Sequence, residues 1–186
     1  MRVPFIVREP KQAKTGRTQD ALVSWVDIMP TLLDYAGIDA SDMGLDGRSF
    51  RQGISGQLEG WDHVFASHTF HEVTMYYPMR VLKTRQYKLI FNIADDLEFP
   101  LAKDLLQSPT WVSMQKEGLS LYGKRTPDAL LHRSRLELYD LINDPHETRN
   151  LAGNPEYKTV QEDMVAQLKA FQSDTMDPWA VKWERE

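Results

Sequence analysis

The chain has 186 residues, of which 41% are hydrophobic and 26% charged, with a formal net charge of −5 and no cysteine. That length suffices for one domain with a real core, and it is short enough to be one part of a larger protein. The negative balance argues against nucleic acid as a partner. No apolar run reaches the length that crosses a bilayer, so no membrane partner is expected, and without cysteine there is no disulfide, thiolate metal site or cysteine-derived nucleophile in these residues.

The opening stretch RVPFIVREP predicts a short strand, Val3 to Val7, closed by Pro10. KQAKTGRTQD reads as a polar loop. LVSWVDIMPTLLDYAGI predicts a helix with Ile28, Leu32 and Tyr35 on one face and Met29 and Leu33 beside them. Gly37 suits its C-terminal cap. Two starts are open for this helix. One is capped by Ser24 with Asp27 three residues on; the other lies near Asp27, with Pro30 in the first turn. The polar, glycine-rich DASDMGLDGRSFRQGISGQLEGWD reads as loop, and a subdomain boundary is expected within residues 50 to 60.

HVFASHTF predicts a strand. MRVLKTRQYKLIFNI predicts a hairpin, with Met79 to Lys83 and Tyr87 to Ile93 joined by a turn about Thr84 to Gln86. Tyr87, Leu89 and Phe91 alternate with Lys88, Ile90 and Asn92, which predicts one buried face. RLELYDL, Arg135 to Leu141, adds a further strand, and the short or non-helical connections predict antiparallel pairing. Residues 94 to 134 look irregular, with short helices near FPLAKDLLQSPTW and WVSMQKEGLSLYG, an insert of the kind that carries binding loops. The clearest helix is NPEYKTVQEDMVAQLKAFQSD. Its stripe of Tyr157, Val160, Met164, Leu168 and Phe171 is expected to cover one face of the sheet. The Trp-rich tail DPWAVKWERE is expected to drape over a neighbouring surface.

Polar groups concentrate in HTFHEVTMYYPMR, His68 to Arg80. A zinc-protease helix needs HExxH, and Met75 stands where its second histidine would be. An acid–base pair of His71 and Glu72 would need a turn, because adjacent residues of a strand point to opposite faces. The density of donors among aromatics favours a ligand-contact role for His68 or His71; the plainer alternative is a histidine that caps or lines a loop. Ser67 and Ser108 lack orienting partners, and no G-x-S-x-G elbow, P-loop or dinucleotide fingerprint occurs. Asp140, Asp144 and Glu147 in YDLINDPHETRNLA lack the EF-hand register and read as a charged turn between strand and helix.

Several stretches together resemble the carboxy-terminal part of the sulfatase family, within the alkaline-phosphatase-like superfamily. RVPFIVREP resembles the segment after that family's glycine-rich EGG stretch. VDIMPTLLDYAGI followed by LDGRSF resembles its helix and turn in the same order, and ELYDLINDPHETRNLA resembles its LYDL..DP.E..NLA pattern. HEVTMYYPMR, together with LLQSPTW and the closing DPW, is similar to the N-sulfoglucosamine sulfohydrolase branch, the sulfamidases. The resemblance runs from Arg2 to Trp179.

The resemblance implies an α/β fold, α+β in its later part. Residues 1–55 would be a strand and helix of the large sulfatase domain. Residues 56–186 would form a carboxy-terminal subdomain, an antiparallel sheet of about four strands packed against a C-terminal helix, with the irregular insert. It implies hydrolysis of sulfate esters, or of sulfamates in this branch, at a bound calcium, by a formylglycine made from Cys or Ser in a C/S-x-P-x-R motif. That motif, the amino-terminal Asp pair and the DNG ligands do not occur here. Calcium and formylglycine are therefore expected of a full-length enzyme, with no catalytic residue, metal ligand or cofactor in this stretch. The chain would be a fragment, a truncated product or half of a split reading frame, inactive alone. His68, His71 and Glu72 would hydrogen-bond a sugar hydroxyl, amine or carboxylate as a pocket wall, while Arg80 would face an anion or pair in the sheet. The implied partners are the missing amino-terminal sulfatase domain and a sulfated sugar, with room for a homodimer of the full-length enzyme in a periplasmic, extracellular or lysosome-like compartment. The alternative from another class is a stand-alone carbohydrate-binding or interaction module without catalysis.

Overall fold

The computed structural model describes residues 3–9, 16–55, 59–72 and 75–184. They fall into two compact units, Met1–Val64 and Phe65–Glu186. No helix among the described residues is long and apolar enough to cross a membrane.

In the first unit the expected strand at Val3 to Val7 does not form; these residues carry no regular structure. A strand exists only through its ladder of hydrogen bonds, and this segment joins none of the described strands, which make one sheet among themselves. Helix α1 spans Ile28–Ala36 and follows a 3-10 turn at Trp25–Asp27. Both starts read from the sequence are therefore used in succession. The Ser24 N–H donates to Asp27 Oδ2 at 2.7 Å, while Pro30 sits in the first turn of α1, where its missing N–H costs nothing. Gly37 ends the helix at φ 70°. Its N–H bonds to Asp34 O, and the Ile38 N–H bonds to Leu33 O, which satisfies carbonyls the helix end would leave bare.

Polar residues at successive turns, from the 3-10 turn into α1, hold the returning chain. Asp27 Oδ1 accepts from Arg48 N–H at 3.0 Å. Thr31 Oγ1 accepts from Phe50 N–H at 3.1 Å, and Asp34 takes the Ser49 hydroxyl at 2.6 Å and Arg51 Nη1 at 2.9 Å. Gly47 lies against the Val26 carbonyl so closely that a Cβ would overlap it. This explains why the turn LDGRSF needs glycine there. The stretch read as loop also contains a short helix, α2 at Arg51–Ser55. Ser49 Oγ accepts from the Arg51 N–H just before it begins, a local bond that composition alone does not announce. Phe50, buried, meets Phe5 and Trp61 edge-on. Leu32 of α1 stays 57% exposed and Trp25 72%.

The second unit is built on a four-stranded antiparallel sheet in the order β1 (His63–Phe70), β2 (Tyr76–Thr84), β3 (Tyr87–Asn92) and β4 (Leu136–Asp140). The hairpin forms as the alternation predicts. Lys83 pairs with Lys88 across Arg85 and Gln86, and Leu89 pairs with Leu138. Opposite residues share a face, so Leu82, Leu89, Phe91 and Leu138 make one apolar surface. Helix α6 (Lys158–Asp174) covers it with Met164 and Leu168. Burying a leucine there contributes about 1.5–3 kcal/mol.

The expectation of a single buried face is corrected: β3 is buried on both. Ile90 clusters with Val81 and Tyr139 on the second face. On that face Lys88 pairs with Glu147, and Asn92 Nδ2 donates to Glu137 Oε1 at 2.6 Å. The cover comes from residues 94 to 134, which hold helices α3 (Lys103–Leu106), α4 (Pro109–Glu117) and α5 (Pro127–Leu131). Phe99 stands edge-on to Tyr77 at 5.1 Å, Arg133 lies over the Phe99 ring, and Arg125 lies over Tyr139. Ser108 has a structural role, since its hydroxyl oxygen caps α4 by accepting from the Trp111 N–H.

Candidate functional site

β1 and β2 deliver the polar stretch to one edge of the sheet. His68, half-buried near the end of β1, places Nδ1 3.0 Å from the Tyr77 carbonyl, so that nitrogen carries its proton and donates. His71 and Glu72 follow directly and are exposed. The His71 N–H donates to Met75 O at 3.3 Å, and the Met75 N–H to Glu72 O at 2.9 Å. This is the turn that lets the two side chains leave the strand's strict alternation. Val73 and Thr74 lie outside the described residues.

Arg80 is buried on β2 and has an internal partner. Its Nε and Nη2 donate to the two oxygens of Asp177 at 2.6 and 2.8 Å, a bidentate pair with side chains only 7% and 9% exposed. Its Nη1 donates to the carbonyls of His68 and Met79. The Arg80 hydrogen bonds hold the Asp177 carboxyl well below the usual range, at about 2; burial opposes them, and Gln172 Nε2 and the Trp179 N–H reinforce them. The Arg80 guanidinium is thus engaged by a partner on the tail, outside the sheet.

The tail does drape over this unit. Trp183 stacks on Phe91 with ring centres 3.8 Å apart and donates from Nε1 to Gln172 Oε1. Trp179 sits 5.9 Å from the half-exposed Tyr76. Asp177 and Trp179 were visible in the sequence only as part of the closing DPW; their link to β2 crosses 97 positions.

The carboxylates of YDLINDPHETRNLA are engaged in turns and an ion pair. Asp140 accepts from the Ile142 and Asn143 N–H groups. Asp144 lies below its usual range although burial acts to raise it, because the Arg149 and Thr148 N–H groups donate to it. Glu147, held at φ 56°, pairs with Lys88. No group of three His, Asp or Glu among the described residues is placed to hold a metal ion.

Comparison with known proteins agrees with this architecture. The chain matches the family model "N-sulphoglucosamine sulphohydrolase, C-terminal" over residues 1–117. It is 35% identical over 188 residues to N-sulphoglucosamine sulphohydrolase of Homo sapiens, across 95% of this chain and 37% of that protein. It is 30% identical over 173 residues to an ulvan-active sulfatase of Formosa agariphila, across 90% of this chain and 32% of that one. A protein solved in complex with its substrate D-glucosamine-2-N,6-O-disulfate shares the fold with a TM-score of 0.63 at 22% identity, over 93% of this chain and 28% of that chain. The four-stranded sheet backed by a long helix is consistent with an alkaline-phosphatase-like sulfatase fold. The chain belongs to the C-terminal family of N-sulphoglucosamine sulphohydrolase. It spans about a third of the length of these curated relatives.

Proposed function

We propose that this chain is the substrate-facing carboxy-terminal part of an enzyme that hydrolyses sulfated sugars, with sulfamate on glucosamine as the favoured group. The observation that carries the reading is the 35% identity to N-sulphoglucosamine sulphohydrolase across 95% of the chain. Formylglycine and calcium would come from an upstream sulfatase domain, which the first unit would join as part of a larger α/β layer. A homodimer and a periplasmic, extracellular or lysosome-like setting go with that family reading. His71 and Glu72 are the groups exposed to contact a sugar hydroxyl, amine or carboxylate. His68 and Arg80 stand behind them, bonded to the strands that bear the turn.

Alone, residues 1 to 186 should turn over neither sulfamates nor sulfate esters, because the nucleophile and the charge-stabilising metal are the largest catalytic contributions. The test joins the chain to the upstream part of a sulfamidase relative and compares His71→Ala and Glu72→Ala with the parent chimera on glucosamine N-sulfate. Each lost hydrogen bond is expected to cost about 1–3 kcal/mol, roughly tenfold to a hundredfold in kcat/KM, with the melting temperature held. Unchanged kinetics in both variants rejects the sugar-contact role. Saccharide binding by a chain that remains inactive in every such chimera would favour the stand-alone module.

A further inference from the structure

The pair Arg80–Asp177 is built for orientation more than for stability. A buried ion pair loses most of its Coulomb gain to desolvation, and a well-packed apolar pair often holds a fold as firmly. A bidentate guanidinium–carboxylate contact adds fixed geometry. Here that geometry joins three places at once: the end of β1 through the His68 carbonyl, the middle of β2, and the tail. Asp177 also accepts from the Trp179 N–H at 3.1 Å, so the carboxylate sets the direction in which the tail's indole leaves. Trp179 then faces Tyr76, at a tilt of 49°. Tyr76 directly follows Met75, whose carbonyl accepts from the His71 N–H. The result is an aromatic pair that begins one residue after the turn bearing two exposed polar side chains. Sugar sites use this mixture, an apolar wall for the ring face and a few placed polar groups for its edge.

We infer that Asp177, through its buried pair with Arg80, is a positioning residue that sets Trp179 beside Tyr76 as an aromatic wall for the sugar ring held by the His71–Glu72 turn. The inference rests on the sugar-facing reading of that turn. It adds to it a wall supplied from the opposite end of the unit.

The test uses the 186-residue chain in solution by NMR, with glucosamine N-sulfate as probe. In the unaltered chain the sugar should shift resonances of His71, Glu72, Tyr76 and Trp179 together. Asp177→Asn should abolish the ring-to-ring contacts of Tyr76 with Trp179, leave those of Phe91 with Trp183, and weaken sugar binding roughly tenfold. Trp179→Leu, which keeps the ion pair, should weaken binding as much while the unfolding midpoint stays. Persistence of the Tyr76–Trp179 contact and full affinity in Asp177→Asn, or full affinity in Trp179→Leu, overturns the inference alone. Shifts at His71 and Glu72 without Trp179 do the same and leave the turn's role standing. A sugar that moves none of the four overturns the sugar-facing reading and this inference with it.

Discussion

The two units use similar residues under different conditions. In Phe65–Glu186, Leu82, Leu89, Leu138 and Leu168 have no exposed surface, and the sheet is covered on both faces from within the unit. In Met1–Val64, Ile6 is 91% exposed and Met29 and Leu32 of α1 stay open, while the helix is fastened by Asp27, Thr31 and Asp34. Periodicity declares which side chains are fit for burial. Whether they are buried depends on a partner surface, which the second unit contains and the described residues of the first do not present for Met29 and Leu32.

The contrast is most directly broken at the buried ion pair. Asp177→Ala leaves Arg80 charged and unpartnered, and is expected to cost the second unit about 3–5 kcal/mol. Chemical denaturation followed by near-ultraviolet signals from Trp183 and Trp179 checks this. A loss no larger than that of an exposed substitution would mean the pair holds nothing.

Acid should act through the same carboxylate. Its folded value of about 2 lies below the ordinary 3.8. The stabilisation is therefore complete above pH 4 and is lost as pH falls from there through 2. The difference corresponds to roughly 2–3 kcal/mol. Unfolding free energy measured from pH 5 to pH 2 should fall by about this much in the parent chain, and the fall should be smaller in Asp177→Asn.

In the first unit the polar fastening should dominate. Thr31→Val keeps shape and removes the acceptor for the Phe50 N–H, at an expected cost of about 1–2 kcal/mol. Hydrogen exchange at the Phe50 amide should accelerate accordingly. By contrast Leu32→Ser, on the open face, should change stability by no more than about 0.5 kcal/mol while improving solubility, since it removes an exposed apolar group. A core-like loss at Leu32 would erase the distinction between the units.

What could be read in advance follows the range of the forces. The hairpin of β2 and β3 was legible because its turn and alternation are local, and α6 because Tyr157, Val160, Met164, Leu168 and Phe171 repeat at helical spacing. Val3 to Val7 misled because β-branched pattern records readiness to pair, and pairing itself is non-local. The second covered face of β3 escaped because its cover, Phe99 and Arg125 among others, comes from an insert with no strong period. At the candidate site, composition marked His71 and Glu72 as part of a polar cluster, while the turn they occupy depends on backbone bonds to Met75 that composition does not announce. Asp177 was not marked, since a lone Asp before Pro reads as a turn, and nothing nearby points to Arg80.

Trp183 stacked on Phe91 carries a consequence for the order of events during synthesis. The hairpin leaves the ribosome before α6, Asp177 and Trp183, so its helix-side face stays uncovered until residues 158–183 have followed. Contacts of such long separation close late. Until they do, the nascent sheet shows a bare apolar surface of the kind that chaperones hold and that neighbouring chains can capture. Yield in cells should therefore respond more to translation rate and chaperone supply than the equilibrium stability of the finished unit would suggest.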